Sequence, residues 1–443
     1  MRKLFGTDGV RGVAGEVLTA ELALGLGRAV TQEAAARPEA GGVPRVLVIR
    51  DTRESGAMLE SALAAGVASA GGEVLLGGVL PTPAAPLLLT RYGFDVAAVI
   101  SASHNPYTDN GIKFFGADGF KLSDGSELAI EQRLASGDGA GPAGIGHIRT
   151  LHGTHEDYLR ALHSRFADLD LTGLDVVLDC AHGATHRAAP EIFRRLGAEP
   201  VVIADAHDGR NITDGCGSTH VGALAEVVVS GGHALGFAFD GDGDRLLAVD
   251  RHGAVVDGDE LIALAALHLR RAGRLAGNGV AVTVMTNYGF HGAMEDAGVA
   301  VATTKVGDRY VLEELRARGW SLGGEQSGHI IDMGFVPSGD GIAASLLTLE
   351  ALAGGDLADR DAMRKLPQRL VNVPVADRDR AMASADLAAA IDVAGAELAG
   401  RGRVLVRPSG TEQLVRVMVE APTAEETDAL CARLVAVVER LTA

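Results

Sequence analysis

The chain has 443 residues, more than one ordinary domain holds, so two to four domains are expected. Apolar residues at 47% with aromatics at only 4% describe an alanine- and valine-rich α/β protein, and no apolar run reaches the length of a bilayer, which excludes a disordered chain and a membrane partner. A formal net charge of −18 without any Lys/Arg block disfavours nucleic acid. Cys180, Cys216 and Cys431 lack metal-type spacing and fit a reducing compartment. Met1–Gly6 carries no signal-peptide core, so a cytoplasmic location is expected.

Strand and helix alternate along the chain. In residues 1–152, strands are predicted at Val46–Arg50 and Asp95–Ile100, with an alanine-rich helix over Met58–Ala70 between them. The second strand runs straight into Ser101-Ala102-Ser103-His104-Asn105-Pro106, where Asn-Pro forces a turn. Ser103 is thereby placed at the carboxyl edge of a sheet, where open α/β proteins bind ligands, with His104, Asn105 and Lys113 close by. A serine that merely closes the turn is the alternative. Gly137–Gly146 reads as a loop, and Thr154 with Asp157 as the cap of a helix through Tyr158, Leu162 and Phe166.

Residues 153–254 open a second unit: strand Asp175–Asp179, a helix to Leu196, a return strand over Pro200–Ile203, and strand Ala234–Phe239. Directly after it stands Asp240-Gly241-Asp242-Gly243-Asp244-Arg245. Carboxylates at alternate positions, with glycines that let the backbone curl, can converge on one hard divalent cation, for which magnesium is the natural candidate. A calcium loop of the EF-hand kind would need glycine at Arg245 and glutamate at Arg251. Without a cation the three acids repel one another.

In residues 255–366, helices are predicted over Glu260–Arg271, after Asp308 and over Gly341–Ala353, and strands over Val280–Met285 and Val299–Val306. The polar loop Gly323-Gly324-Glu325-Gln326-Ser327-Gly328-His329 suits a polyhydroxylated ligand, although a plain hairpin turn fits the same residues. Gly354–Asp359 reads as a linker. Residues 367–443 follow as strand, helix, strand, strand, helix, too small for a doubly wound sheet. Here Arg407-Pro408-Ser409-Gly410-Thr411, with Arg416 beyond, offers a guanidinium fork, hydroxyls and free amides for a phosphate, or simply a tight turn between strands.

These four runs, in this order, resemble the α-D-phosphohexomutase superfamily over nearly the whole chain. Phe5-Gly6-Thr7-Asp8-Gly9-Val10-Arg11-Gly12, Cys216-Gly217-Ser218-Thr219-His220, Lys305-Val306-Gly307-Asp308-Arg309-Tyr310-Val311 and Glu325-Gln326-Ser327 resemble its amino-sugar branch. Gly56-Ala57, after Asp51-Thr52-Arg53-Glu54-Ser55, departs from the family pattern outside the four loops. The resemblance implies three similar mixed-sheet α/β domains (1–152, 153–254, 255–366) and a smaller TATA-binding-protein-like α+β domain (367–443) around a central cleft. It also implies conversion of glucosamine 6-phosphate to glucosamine 1-phosphate through a 1,6-bisphosphate, supplying UDP-N-acetylglucosamine and cell-wall precursors.

On that resemblance Ser103 is the phosphoserine, primed by glucosamine 1,6-bisphosphate, and one magnesium sits on Asp240, Asp242, Asp244 and a phosphoserine oxygen. Arg11 and Arg245 steady the transferred group, while His104, Lys113 and His329 are candidates for acid and base. Lys305, Gly307, Asp308, Arg309, Glu325, Gln326 and Ser327 would contact the sugar, and Arg407, Ser409, Gly410, Thr411 and Arg416 the distal phosphate. A homodimer is compatible with it. An acidic chain that takes an anionic substrate needs a local positive cleft, for which Arg11, Lys113, Arg245, Lys305, Arg309, Arg407 and Arg416 are the sequence candidates. Lysine is rare here, confined to Lys3, Lys113, Lys121, Lys305 and Lys365, which singles out Lys113 and Lys305 inside the motifs.

Overall fold

The computed structural model describes residues 4–6, 8–37, 42–136, 144–409 and 412–441. The chain divides into two compact units, Met1–Val284 with Ala302–Arg360, and Met285–Val301 with Asp361–Ala443. Among the described residues no helix is long and apolar enough to cross a membrane.

The first unit is built on three mixed sheets. In the first, Arg45–Arg50 pairs parallel with Glu73–Val79 and Val96–Ile100, and Asp109–Gly116 returns antiparallel to Val96–Ile100. Val10–Val13 joins antiparallel at the edge, so Arg11 lies opposite Gly111 and Lys113 opposite Val99. The central strands are apolar without alternation because both faces are covered. Helices Ala20–Ala35 and Gly56–Ser69 pack together through glycines: a Cβ on Gly66 would stand 2.0 Å from the Leu24 carbonyl oxygen.

The second sheet repeats the plan. Val176–Asp179 is parallel to Val201–Ile203 and Leu235–Phe239, and Leu246–Asp250 folds back antiparallel on Leu235–Phe239. In the third, Gly279–Thr283 is parallel to Leu322–Gly324, and Ile330–Asp332 folds back antiparallel. Each sheet therefore carries one loop at the carboxyl end of a parallel strand, just before the chain reverses. Those loops are the serine run, the aspartate run and the Glu325–His329 run. One topological position, used three times, delivers the chemistry of this unit.

Unit two has a three-stranded antiparallel sheet, Gln368–Pro374, Leu414–Glu420 and Arg403–Pro408, covered by helices Ala385–Leu398 and Ala424–Arg440. Val373, Leu387, Val417, Leu430 and Leu434 form its core.

One local expectation is corrected. Thr154 is the first residue of helix Thr154–Arg165 rather than its cap; Gly153 takes that place in a left-handed conformation, and the Thr154 hydroxyl donates to the Gly77 carbonyl. The segment Gly354–Asp359, read as a linker, comes just before the division between the units at Arg360 and Asp361, and within it buried Leu357 seeds a turn of 3-10 helix over Leu357–Asp359. Arg360 just beyond it reaches Asp250 and Glu260 at 2.9 and 2.8 Å. Cys180 is a buried filler, as its position at a strand end suggested. The loop expected at Gly137–Gly146 lies outside the described residues over 137–143.

Candidate active site

Ser103 is 2% exposed, with its Oγ donating to Asp240 Oδ2 at 2.5 Å and lying 3.3 Å from His104 Nδ1. The aspartate run closes the hairpin between Leu235–Phe239 and Leu246–Asp250, and Gly243 takes a positive φ of 72° there; a Cβ would meet Thr185 at 2.5 Å. This tight curl points Asp240, Asp242 and Asp244 inward, with one oxygen of each within 4.8 Å of the others.

The three carboxylates are buried, and Asp242 Oδ1 and Asp244 Oδ1 have no hydrogen-bond partner. Burial, then the charges of Asp244 and Asp242, push the Asp240 carboxyl well above its ordinary range. An all-oxygen set with orphaned inward atoms and self-repulsion fits a hard divalent cation. Asp242 Oδ2 is already engaged, accepting from Thr82 Oγ1 at 2.7 Å and Lys113 Nζ at 2.9 Å.

A cavity of about 520 Å³ opens beside this cluster, entirely within the first unit. Arg11, Ser103, His104 and Arg245 line one side; Gly307, Asp308, Glu325, Ser327 and His329 line the other. Glu325 accepts from the Gly307 amide at 2.9 Å, so the hairpin loop and the start of helix Asp308–Arg318 are fixed to each other. Burial opposes charge on His329, yet Asp244 at 3.6 Å and Asp308 at 3.5 Å hold its pKa above the usual value. His104 is lowered by burial and by Arg245 and Arg11, which favours the neutral imidazole beside Ser103.

Not every predicted residue faces the cavity. Lys113 lies behind the wall, 1% exposed, bound to Asp242, to Asp8 at 3.2 Å and to Asp244 at 3.6 Å. Burial opposes its charge, but the three carboxylates hold the ammonium well above its ordinary range. Arg309 is turned to Asp124 and to Glu127 at 2.8 Å, an ion pair that anchors helix Asp124–Ser136 instead of a group for substrate. Lys305 is exposed, its Nζ 5.9 Å over the Tyr310 ring. Gln326 is half-buried outside the cavity wall, and its carbonyl accepts from the Gly258 amide at 3.0 Å.

Sequence reasoning passed over Asp8, Lys121, Asp51 and Arg53. Lys121 Nζ bridges Asp8 and Asp308, 2.5 Å from each, and so ties the amino-terminal run to the sugar side of the cavity. Its isolation among very few lysines was the available signal.

In the second unit, Arg407 and Arg416 lie directly opposite each other on paired strands. Burial and the Arg416 charge lower the Arg407 pKa, and Arg416 Nε is buried without a hydrogen-bond partner. Paired guanidiniums with an orphan donor suit an anion such as phosphate. Ser409 Oγ accepts from the Glu412 amide at 3.3 Å, and Arg378 donates to the Ser409 carbonyl. Gly410 and Thr411 lie outside the described residues.

Comparison with known proteins agrees. Family models described as phosphoglucomutase/phosphomannomutase alpha/beta/alpha domains I, II and III and C-terminal domain match residues 2–140, 156–253, 257–370 and 370–437. The chain is 51% identical over 441 residues to a phosphoglucosamine mutase of Moorella thermoacetica, covering 98% of both chains. It is likewise 51% identical over 446 residues to one of Nocardioides sp., covering 99% of both. A crystal structure of a phosphoglucomutase/phosphomannomutase family protein from Burkholderia thailandensis superposes with a TM-score of 0.83 at 26% identity, over 100% of this chain and 97% of that one. With all four domain models matched and half of its residues shared with these relatives, the chain belongs to the phosphoglucomutase/phosphomannomutase family, the α-D-phosphohexomutases, within its phosphoglucosamine mutase branch.

Proposed function

We propose that this chain interconverts glucosamine 6-phosphate and glucosamine 1-phosphate by passing a phosphoryl group through Ser103. The observation that carries the reading is the Ser103 hydroxyl 2.5 Å from a buried carboxylate triad, at the wall of a cavity whose far side presents Glu325, Ser327 and His329.

Phosphoryl transfer asks a protein mainly for in-line positioning and charge neutralisation. Asp240, Asp242 and Asp244 would hold one magnesium ion, which supplies Lewis-acid stabilisation of the phosphoryl oxygens when bound. Ser103, carrying the phosphoryl group in the active state, yields it to O1 of glucosamine 6-phosphate: the O1–P bond forms as the Ser103 Oγ–P bond breaks, and the O1 proton passes to a base. His104 and His329 are the imidazoles in reach; the low pKa of His104 suits it to accept that proton. Arg11 and Arg245 balance charge on the moving group. After the 1,6-bisphosphate turns over, the Ser103 Oγ–P bond re-forms as the O6–P bond breaks, the proton held by the base passes to O6, and glucosamine 1-phosphate leaves. Arg407, Ser409 and Arg416, with Gly410 and Thr411, would bind the phosphate that is not reacting.

Intact-mass measurement of purified protein, with peptide mapping, should find one phosphate on Ser103. Turnover of glucosamine 6-phosphate should exceed that of glucose and mannose 6-phosphates. A preference for a neutral sugar would assign the chain to phosphoglucomutase or phosphomannomutase chemistry. Release of inorganic phosphate without isomerised sugar would make it a phosphatase.

A further inference from the structure

Ser103 holds a backbone conformation that serine seldom adopts, with φ at 54°. A side chain at positive φ carries strain, and it persists only where neighbouring contacts enforce it. Here they do. The Ser103 amide donates to Ser101 Oγ at 2.9 Å, and its carbonyl accepts from Arg53 Nη2 at 2.8 Å. Ser101 Oγ donates in turn to Asp51 Oδ2 at 2.7 Å, the same oxygen that accepts from Arg53 Nε at 2.9 Å. Hydroxyl, carboxylate and guanidinium thus close a circuit around the backbone of the reacting serine. The remaining Arg53 donors take the carbonyls of Asn105, Pro106 and Asp109 at 2.8, 2.5 and 3.1 Å, so one side chain holds the whole turn from Ser103 to the next strand.

All three side chains are buried: Ser101 and the side chains of Arg53 and Asp51 are 0% exposed. None lines the cavity. A cation this deep is retained only when its donors are satisfied, and these are satisfied almost wholly by the serine turn.

We propose that Ser101 and Arg53 are positioning residues for phosphoryl transfer, fixing the strained backbone that aims Ser103 Oγ along the line of attack. The inference rests on the phosphoryl-transfer reading of Ser103. It also separates the two neighbouring serines by role. Ser101 Oγ commits its hydrogen to Asp51 and a lone pair to the Ser103 amide, so it is a support and not an acceptor of phosphate.

The test uses the phosphorylated, magnesium-loaded enzyme and three variants. Ser101→Ala should lower kcat by about 10- to 100-fold, the cost of slight misplacement in an oriented reaction, with KM within about twofold and the metal affinity unchanged. Arg53→Lys, which replaces a planar fork by a point charge, should lower kcat further. Ser101→Cys keeps a weak donor and acceptor at the γ position, so it should fall between parent and Ser101→Ala. Wild-type kcat in both Ser101 variants overturns the inference, as does phosphate mapped to Ser101 in the parent. A kcat loss fully accounted for by the unfolded fraction in a melting curve overturns it too. If the parent itself exchanges no phosphoryl group, the functional reading fails first, and that result is distinguishable from a variant effect.

Discussion

Lys113 Nζ stands 2.9 Å from Asp242 Oδ2 with both side chains 1% exposed, so an ammonium already offsets part of the charge of the carboxylate triad. Asp242 Oδ1 and Asp244 Oδ1 are left without a hydrogen-bond partner. Lys113 is therefore an electrostatic partner of the carboxylate triad.

Lys113→Met would remove that charge and leave buried carboxylates facing each other. Breaking a buried pair costs about 3–5 kcal/mol, so the variant should unfold much more readily in EDTA than the parent. Saturating magnesium should restore more stability to the variant than it adds to the parent. Urea unfolding with EDTA and with magnesium measures both; an equal magnesium effect in the two proteins would refute the role.

Arg309 and Arg245 should separate cleanly. Arg309 pairs with Asp124 and with buried Glu127 away from the cavity, so Arg309→Ala should leave kcat and KM of the folded enzyme within about twofold while costing about 3–5 kcal/mol of stability, the scale of breaking a buried pair. Arg245 lines the cavity beside Ser103, and Arg245→Ala should lower kcat by about a hundredfold, the scale of losing one preorganised charge at a transition state. Steady-state kinetics of the two variants decides; a rise in KM with Arg309→Ala would put that guanidinium back on the substrate.

The contrast also shows where sequence reading ends. Strand ends followed by Ser-His-Asn-Pro or Asp-Gly-Asp-Gly-Asp are legible because a buried apolar run fixes where the sheet stops, and the next residues must occupy its edge. Ser103, Asp240, Asp242 and Asp244 were placed that way, Glu325 and His329 only as part of a glycine-flanked polar loop, and the structure brings them around one cavity or its wall. Arg309 sits in the same kind of motif, yet its neighbours come from residues 122–127, which no local pattern couples to it. Arg53 was missed for the converse reason. Asp51-Thr52-Arg53 ends the strand Arg45–Arg50 as Ser101 follows Val96–Ile100, and only the parallel pairing of those strands makes them neighbours. Lys121 reaches Asp308 across 187 residues of sequence. Long-range ion pairs leave no periodic signature.

Glu325 holds the Gly307 amide at 2.9 Å and lines the cavity. Glu325→Gln keeps an acceptor for Gly307 and removes the charge. KM for the sugar phosphate should rise about tenfold with a smaller change in kcat, the signature of lost binding common to ground and transition states. A fall in kcat at unchanged KM would instead place Glu325 in the transfer step.

Asp340 gives the chain a pH dependence outside the transfer chemistry. It is 3% exposed and caps helix Gly341–Leu352 by accepting from the Ala343 amide at 2.9 Å, while the Tyr158 hydroxyl donates to it at 3.0 Å. Burial pushes its carboxyl up to about 7, against the pull of those hydrogen bonds. An unfolded aspartate titrates near pH 4, roughly 3.9, so between there and pH 7 the folded chain keeps a proton that the unfolded chain has lost. The stability contributed by this proton is full below pH 4, falls as pH rises, and is gone above pH 7. Asp340→Asn keeps the cap and the Tyr158 acceptor without titrating. Relative to the parent, it should gain stability from pH 5 to pH 8 by about 1.4 kcal/mol for each pH unit inside that window. Urea unfolding of both proteins at pH 5 and pH 8 reads the difference directly, and an offset that does not change with pH would show that Asp340 is ionised throughout.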